Sequence, residues 1–199
     1  MLSLTVPSVV GLDLAGSSRR PTGWALISGL EVKTCHLYSD EEIINETIKF
    51  TPILIAIDAP LSFPKKGSMR LADKQMHKLG YPVLPPTFPA MKTLTERGIR
   101  ISNELIRRGF KVIEVHPTST RKALKMPIKD WKNIQKAFKC MGFIGEINER
   151  RLSPHELDAL SAALTAYLYI KNLTISVGEK ENAIIVPIER DWRSIKIEV

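Results

Sequence analysis

Two periods of apolar residues alternate along the chain, and they predict its elements. Residues 8–14, SVVGLDL, form an apolar and β-branched run; 16–23 supply turn formers; 24–28 and 32–38 read as two further strands. Connections this short join antiparallel neighbours. Over 40–50 the period becomes helical, with Ile43, Ile44 and Ile48 on one face and acids in the first turn. The run PILIAIDAP, bounded by prolines, has the unbroken apolarity of a strand covered on both faces.

Between Ala59 and Ala90 stand six prolines, Pro60, Pro64, Pro82, Pro85, Pro86 and Pro89, so this stretch is expected to be a long shaped loop with a helix near 70–79. Loops of such length usually carry function. A helix over 94–108 turns Leu94, Ile101, Leu105 and Ile106 inward and stops at Gly109, and KVIEVHP (111–117) is another buried strand. An amphipathic helix follows over 130–141, with Trp131, Ile134, Phe138 and Met141 on one face and lysines beside it. Ser153 as N-cap, Pro154 at N1 and Glu156 at N3 then open a long helix to about Lys171. Three antiparallel strands, a helix, a strand, a helix, a strand and helices imply an α/β fold. Crossover connections make the later strands parallel to the first, with helices on both faces.

At 199 residues with 44% hydrophobic and 25% charged positions, the chain reads as one globular domain over 1–199, with a core at about 8–172 and a C-terminal extension at 173–199. Two cysteines, Cys35 and Cys140, make no disulfide framework, so a reducing cytoplasm is the expected location. No apolar run approaches the roughly 20 residues that cross a bilayer, and the start, MLSLTVPSVVGLDL, lacks a basic region and a small-residue cleavage site. No membrane partner is expected. The net charge of +8 suits a polyanion such as DNA or RNA, although a lysine-rich solvated surface gives the same count.

Each of the three most buried strands ends in or carries an acid: Asp13, Asp58 and Glu114. In open α/β sheets functional groups gather at the carboxyl ends of strands, so these three converge if their strands are neighbours. Asp158, one turn into the last helix and three residues after His155, is placed to join them. Clustered carboxylates repel and must take up protons or bind cations. Mg²⁺ or Mn²⁺ with oxygen ligands is the natural solution, and two such ions activate water against a phosphodiester. Each acid also has an ordinary reading: a lone Asp after a strand serves as turn former or cap, Glu156 is a capping residue, and Asp158 favours a helix N-terminus. Glu114, flanked by Val112, Ile113 and Val115, is costly to bury unpaired.

The segments GLDLAGSSRRPTGWALI, AIDAPLSFP, GSMRLADKQMHKLGYP, LTERGI, VIEVHP and HELDALSAALTAYLY, spanning roughly Val9 to Tyr169, resemble in this order the DUF429 family, described as predicted nucleases of the ribonuclease H-like fold. The resemblance implies a mixed five-stranded sheet whose first three strands are antiparallel. It also implies that Asp13, Asp58 and Asp158 are catalytic metal ligands, with Glu114 in a family motif as a fourth catalytic residue. The simplest enzymes of that fold carry a Glu on the first helix, for which Glu42 and Glu46 are the candidates, although a solvated helix face explains both equally.

Arg70, Lys92 and Arg97 are candidates for holding phosphate, against a structural role in salt bridges. His116 and His155 adjoin Glu114 and Asp158 and are candidates for contacting substrate or shuttling a proton. Seven basic residues from Arg121 to Lys139 face one acid, Asp130, the pattern of a backbone-tracking surface or of a solvated stripe. The leading expectation is a metal-dependent nuclease. Its rivals are a nucleotide- or phosphate-binding protein related to actin-like and sugar-kinase ATPases, suggested by GLDLAG, and an inactive domain that binds nucleic acid or protein.

Overall fold

The computed structural model describes residues 7–197; the ends of the expected 1–199 domain and the first six residues of the opening segment lie outside them. Strands β1 (Ser8–Asp13), β2 (Thr22–Ser28) and β3 (Glu31–Leu37) form the expected antiparallel meander. Helix α1 (Asp40–Lys49) follows, with Ser39 and Glu42 closing a capping box. Strand β4 (Leu54–Asp58) lies parallel to β1, and the proline-rich stretch then contains α2 (Leu71–Lys78). Helix α3 (Pro89–Arg107) begins five residues before the sequence reading placed it, because Pro89 fits the first turn. Strand β5 (Val112–Val115) is parallel to β4.

Next come α4 (Pro117–Ala123), which the hydrophobic pattern did not predict, α5 (Trp131–Cys140), the two-residue β6 (Ile144–Gly145), α6 (Glu146–Glu149) and α7 (Pro154–Ile170). Strands β7 (Thr174–Val177) and β8 (Ile184–Pro187) complete the sheet. Its order is β6-β3-β2-β1-β4-β5-β8-β7. The five expected strands form its centre in the expected directions, but among the described residues the sheet has eight. The three additions are β6 beyond β3 on one side and β8 and β7 beyond β5 on the other, runs of two to four residues.

The pleat sorts the strand residues onto two faces. Val9, Ala25, Leu54 and Ala56 pack with α7, α5 and α4, while Val10, Leu12, Ile55 and Ile57 pack with α1 and α3. Helix α7 lies unusually close to the sheet. A Cβ on Gly11 would stand 2.1 Å from the Ala159 carbonyl oxygen, and one on Gly23 would stand 2.0 Å from that of His155. Small residues on both sides, with Ala159, Ala162, Ala163 and Ala166 all buried on the helix, permit this contact and set the height of the α7 N-terminus over the ends of β1 and β2. Among the described residues no helix is long and apolar enough to cross a membrane.

Candidate active site

Asp13 and Asp58 end adjacent parallel strands and are register partners, so they sit side by side and point to the same face. That face is the one α7 covers. His155, at the second helical position of α7, places its Nδ1 2.6 Å from Oδ2 of Asp13. One turn further along, Asp158 forms an ion pair with Arg121 of α4. Asp13 and Asp58 thus stand side by side, with Asp158 close enough for its charge to act on Asp58.

The electrostatics confirm their proximity. Burial raises the Asp58 carboxyl well above its ordinary value of 3.8, and the like charges of Asp13 and Asp158 raise it further, with Arg121 opposing. Asp158 is raised by burial too, against the pull of Arg121. His155 is raised chiefly by its hydrogen bond to Asp13.

Glu114 lines the same cavity as Asp13 and Asp58, and its charge adds to the rise of Asp58, but for a reason of parity its carboxyl is engaged elsewhere. Its register partner on β4 is Ile57, not Asp58, so the pleat directs its side chain to the opposite face. There Oε1 and Oε2 receive Arg70 Nη2 and Nη1 at 2.6 and 2.7 Å, and Oε2 also accepts the Leu61 amide at 2.8 Å. Arg70 in turn holds Asp73 at 2.7 Å. Burial raises the Glu114 carboxyl against the pull of Arg70. This buried triad anchors the proline-rich stretch to β5.

The other predicted substrate contacts separate clearly. Arg97 is buried and donates to Asp40 Oδ1, the Ala15 carbonyl and the Tyr38 carbonyl at 2.7, 2.6 and 2.5 Å, so its guanidinium is committed to joining α3 to the loops after β1 and β3. Lys92 is exposed in the first turn of α3. His116 bonds Ser119 at 2.6 Å, and burial followed by the charge of Arg121 lowers it to about 4, so it is neutral at pH 7. Of the two first-helix acids, Glu42 accepts the amides of Tyr38 and Ser39 as a cap, and Glu46 pairs with Lys49.

Arg121 is the residue that sequence reasoning missed. Counted among surface cations, it is in fact 1% exposed, bonded to Asp158 and to Ser161 Oγ at 3.1 Å, and stacked over Trp131. The signal available was Pro117 directly after a strand, which opens a short helix and carries residue 121 inward one turn later. The true surface patch on α5 comprises Lys132, Lys136 and Lys139, which line a groove with Arg150 and Arg151.

Among the described residues, no three His, Cys, Asp or Glu side chains stand in a group that could hold a metal ion as they are placed. The reason is visible in the pairing: Asp13 is turned to His155 and Asp158 to Arg121. The chemistry of the donor set nevertheless fits a hard divalent cation, since all three groups offer carboxylate oxygen and Asp58 bears like-charge repulsion that Arg121 opposes but does not cancel.

No family model matches the chain, and no curated protein does. Among solved structures, it is similar to Thermus thermophilus RuvC in complex with a Holliday junction substrate, at 16% identity over 83% of this chain and 96% of that one, with a TM-score of 0.47. A second structure of Thermus thermophilus RuvC aligns at 16% identity over 88% of this chain and 98% of that one, with a TM-score of 0.46.

Proposed function

We propose that this protein is a metal-dependent phosphodiesterase of the ribonuclease H-like fold that hydrolyses nucleic acid. The observation that carries the reading is the convergence of Asp13, Asp58 and Asp158 from β1, β4 and α7, with Asp58 held above its ordinary protonation range by burial and by the other two. Carboxylates gathered at such a cost are characteristic of functional sites.

Asp13, Asp58 and Asp158 would hold one or two Mg²⁺ or Mn²⁺ ions, with Asp13 and Asp158 turning from His155 and Arg121 to do so. Bound there, such ions supply an activated water and charge stabilisation for a departing oxygen. The chain's own residues do the rest. His155, half-exposed and in contact with Asp13, is placed to carry a proton to or from solvent at Nδ1 or Nε2. Arg121 balances Asp158 from within the core, keeping the acid fixed when no other cation is near. Basic groups outside the cluster, Lys92 and the α5 groove, attract the polyanion.

The test is incubation of single-stranded, duplex, hybrid and branched DNA and RNA with Mg²⁺ or Mn²⁺, comparing wild type with Asp13→Asn, Asp58→Asn and Asp158→Asn. Cleavage that falls at least about 100-fold in each variant supports the reading. If no substrate is cut, or the variants cut as well as wild type, it is wrong.

A further inference from the structure

Beside Asp13 and Asp58 opens a cavity of about 220 Å³. Its lining joins the ionisable groups Asp13, Asp58, His116 and the Arg70–Asp73–Glu114 triad to an apolar set that includes Leu14, Val83, Leu84, Met91 and Leu94. Across Arg70, which lines both, lies a second cavity of about 250 Å³ edged by Lys65, Lys66 and Lys74, with Phe63 and the single acid Glu179. Phe63, Leu84 and Phe88, all in the proline-rich stretch, are substantially exposed at 39%, 56% and 50%.

Resting on the nuclease reading, we infer that these two cavities together form a site for one unpaired nucleotide of a polynucleotide strand. The first takes its base and the second takes the phosphates beside it. The assignment follows from charge and size. Beyond a phosphate held by metal ions at Asp13 and Asp58, the acids of the first cavity repel further negative charge, so what packs against its apolar lining is neutral. A flat apolar face with a hydrogen-bonding edge suits it: Leu84, Leu94 and the polarisable thioether of Met91 meet the ring face, and His116 meets the edge, leaving Asp13 and Asp58 to the metal ions. The cavity is smaller than the roughly 300–1,000 Å³ of sites that enclose drug-sized ligands, which admits one base and excludes a base pair. Three lysines against one acid in the neighbouring cavity provide the complementary charge for the backbone. A paired duplex offers no base to this pocket, so the substrate presents a single-stranded, bulged or branched nucleotide.

The experiment measures binding in EDTA, by fluorescence anisotropy, of a labelled 12-nucleotide single strand, the same strand with abasic positions, its paired duplex, and a free nucleoside monophosphate as competitor. Cleavage of the same polynucleotides with Mn²⁺ is measured in parallel. The expected result is that the single strand binds about 5- to 100-fold more tightly than the abasic strand and than the duplex at equal salt. Leu84→Glu, at an exposed wall position, removes that preference while leaving the circular dichroism spectrum unchanged. Lys65→Glu combined with Lys66→Glu lowers the salt slope of single-strand binding by about 1.4.

Equal affinity for paired, abasic and unpaired strands, with cleavage intact, overturns this inference and leaves the nuclease reading standing. So does a Leu84→Glu variant that keeps wild-type preference. A free monophosphate that binds as tightly as the strand assigns the site to small nucleotides instead. If no nucleic acid is bound or cut, both readings fall.

Discussion

Replacing Arg70 with Met tests whether the triad beneath the proline-rich stretch is an anchor. The Arg70, Glu114 and Asp73 side chains are only 6%, 7% and 1% exposed, and one guanidinium serves both carboxylates. Its removal leaves Glu114 with the Leu61 amide alone, and Asp73 with the Arg70 backbone amide at 2.8 Å. Breaking a buried pair by deleting one partner costs about 3–5 kcal/mol. For a chain of this length each kcal/mol moves Tm by roughly 2–4 °C, so the melting temperature at pH 7 should fall by about 6–20 °C. The loss should shrink at lower pH. Burial already raises Glu114 and Arg70 opposes that rise, so without Arg70 the acid takes up a proton more readily and its unpaired charge disappears. Urea denaturation of Arg70→Met, Glu114→Met and the double variant at pH 5 and pH 8 completes the cycle, and the double variant should recover about 2 kcal/mol of the summed single losses. A loss below about 1 kcal/mol, the range of exposed pairs, would refute the anchoring argument and return Arg70 to the pool of groups free to hold phosphate.

Other expectations follow from the same geometry. In EDTA, Asp58→Asn should raise Tm by at least about 2 °C at pH 8 and by less at pH 4. The folded-state value of Asp58 is raised, so the wild type loses stability as pH climbs from the ordinary 3.8 through that value; an equal shift at both pH values would contradict this. His155 should titrate above its ordinary 6.5 by NMR and drop back in Asp13→Asn. The stability this pair contributes is complete below 6.5 and is lost as pH rises through the folded value; an unchanged titration in the variant would show that Asp13 is not its partner. Gly11→Ala should cost at least about 3 kcal/mol, because the added methyl meets the α7 backbone at Ala159 and Ala163. Gly67→Ala, in open space but at φ +73°, should cost only the left-handed strain of about 1–2 kcal/mol, and thermal melts of the two decide.

Periodicity was a sufficient guide to the centre of the fold. Continuous apolar runs marked β1, β4 and β5, short turns fixed the antiparallel meander, and the Ser153 to Glu156 box marked the start of α7. It missed β6, β7 and β8, and the helices α4 and α6, which are one or two turns long and too short for a helical period to register. In the site, the acids at the ends of β1 and β4 and the turn of helix between His155 and Asp158 were legible because strand ends and helix faces follow from local spacing.

Glu114, Arg70, Arg97 and Arg121 were not legible in the same way. A side chain at a strand end belongs to one face or the other according to a register of one residue, and pairing with Ile57 turned Glu114 to Arg70, although it still lines the cavity beside Asp58. An arginine in a helix or loop is a surface cation or a buried counter-ion according to what packs over it, and burial of Arg121 against Asp158 depends on two helices 37 positions apart. The sequence by itself determined which residue types stand at the ends of which elements, since that is set by short-range pattern. Only the tertiary structure decided which charges face each other, because Coulomb interactions act through space and depend on burial, and neither distance nor burial is written along the chain.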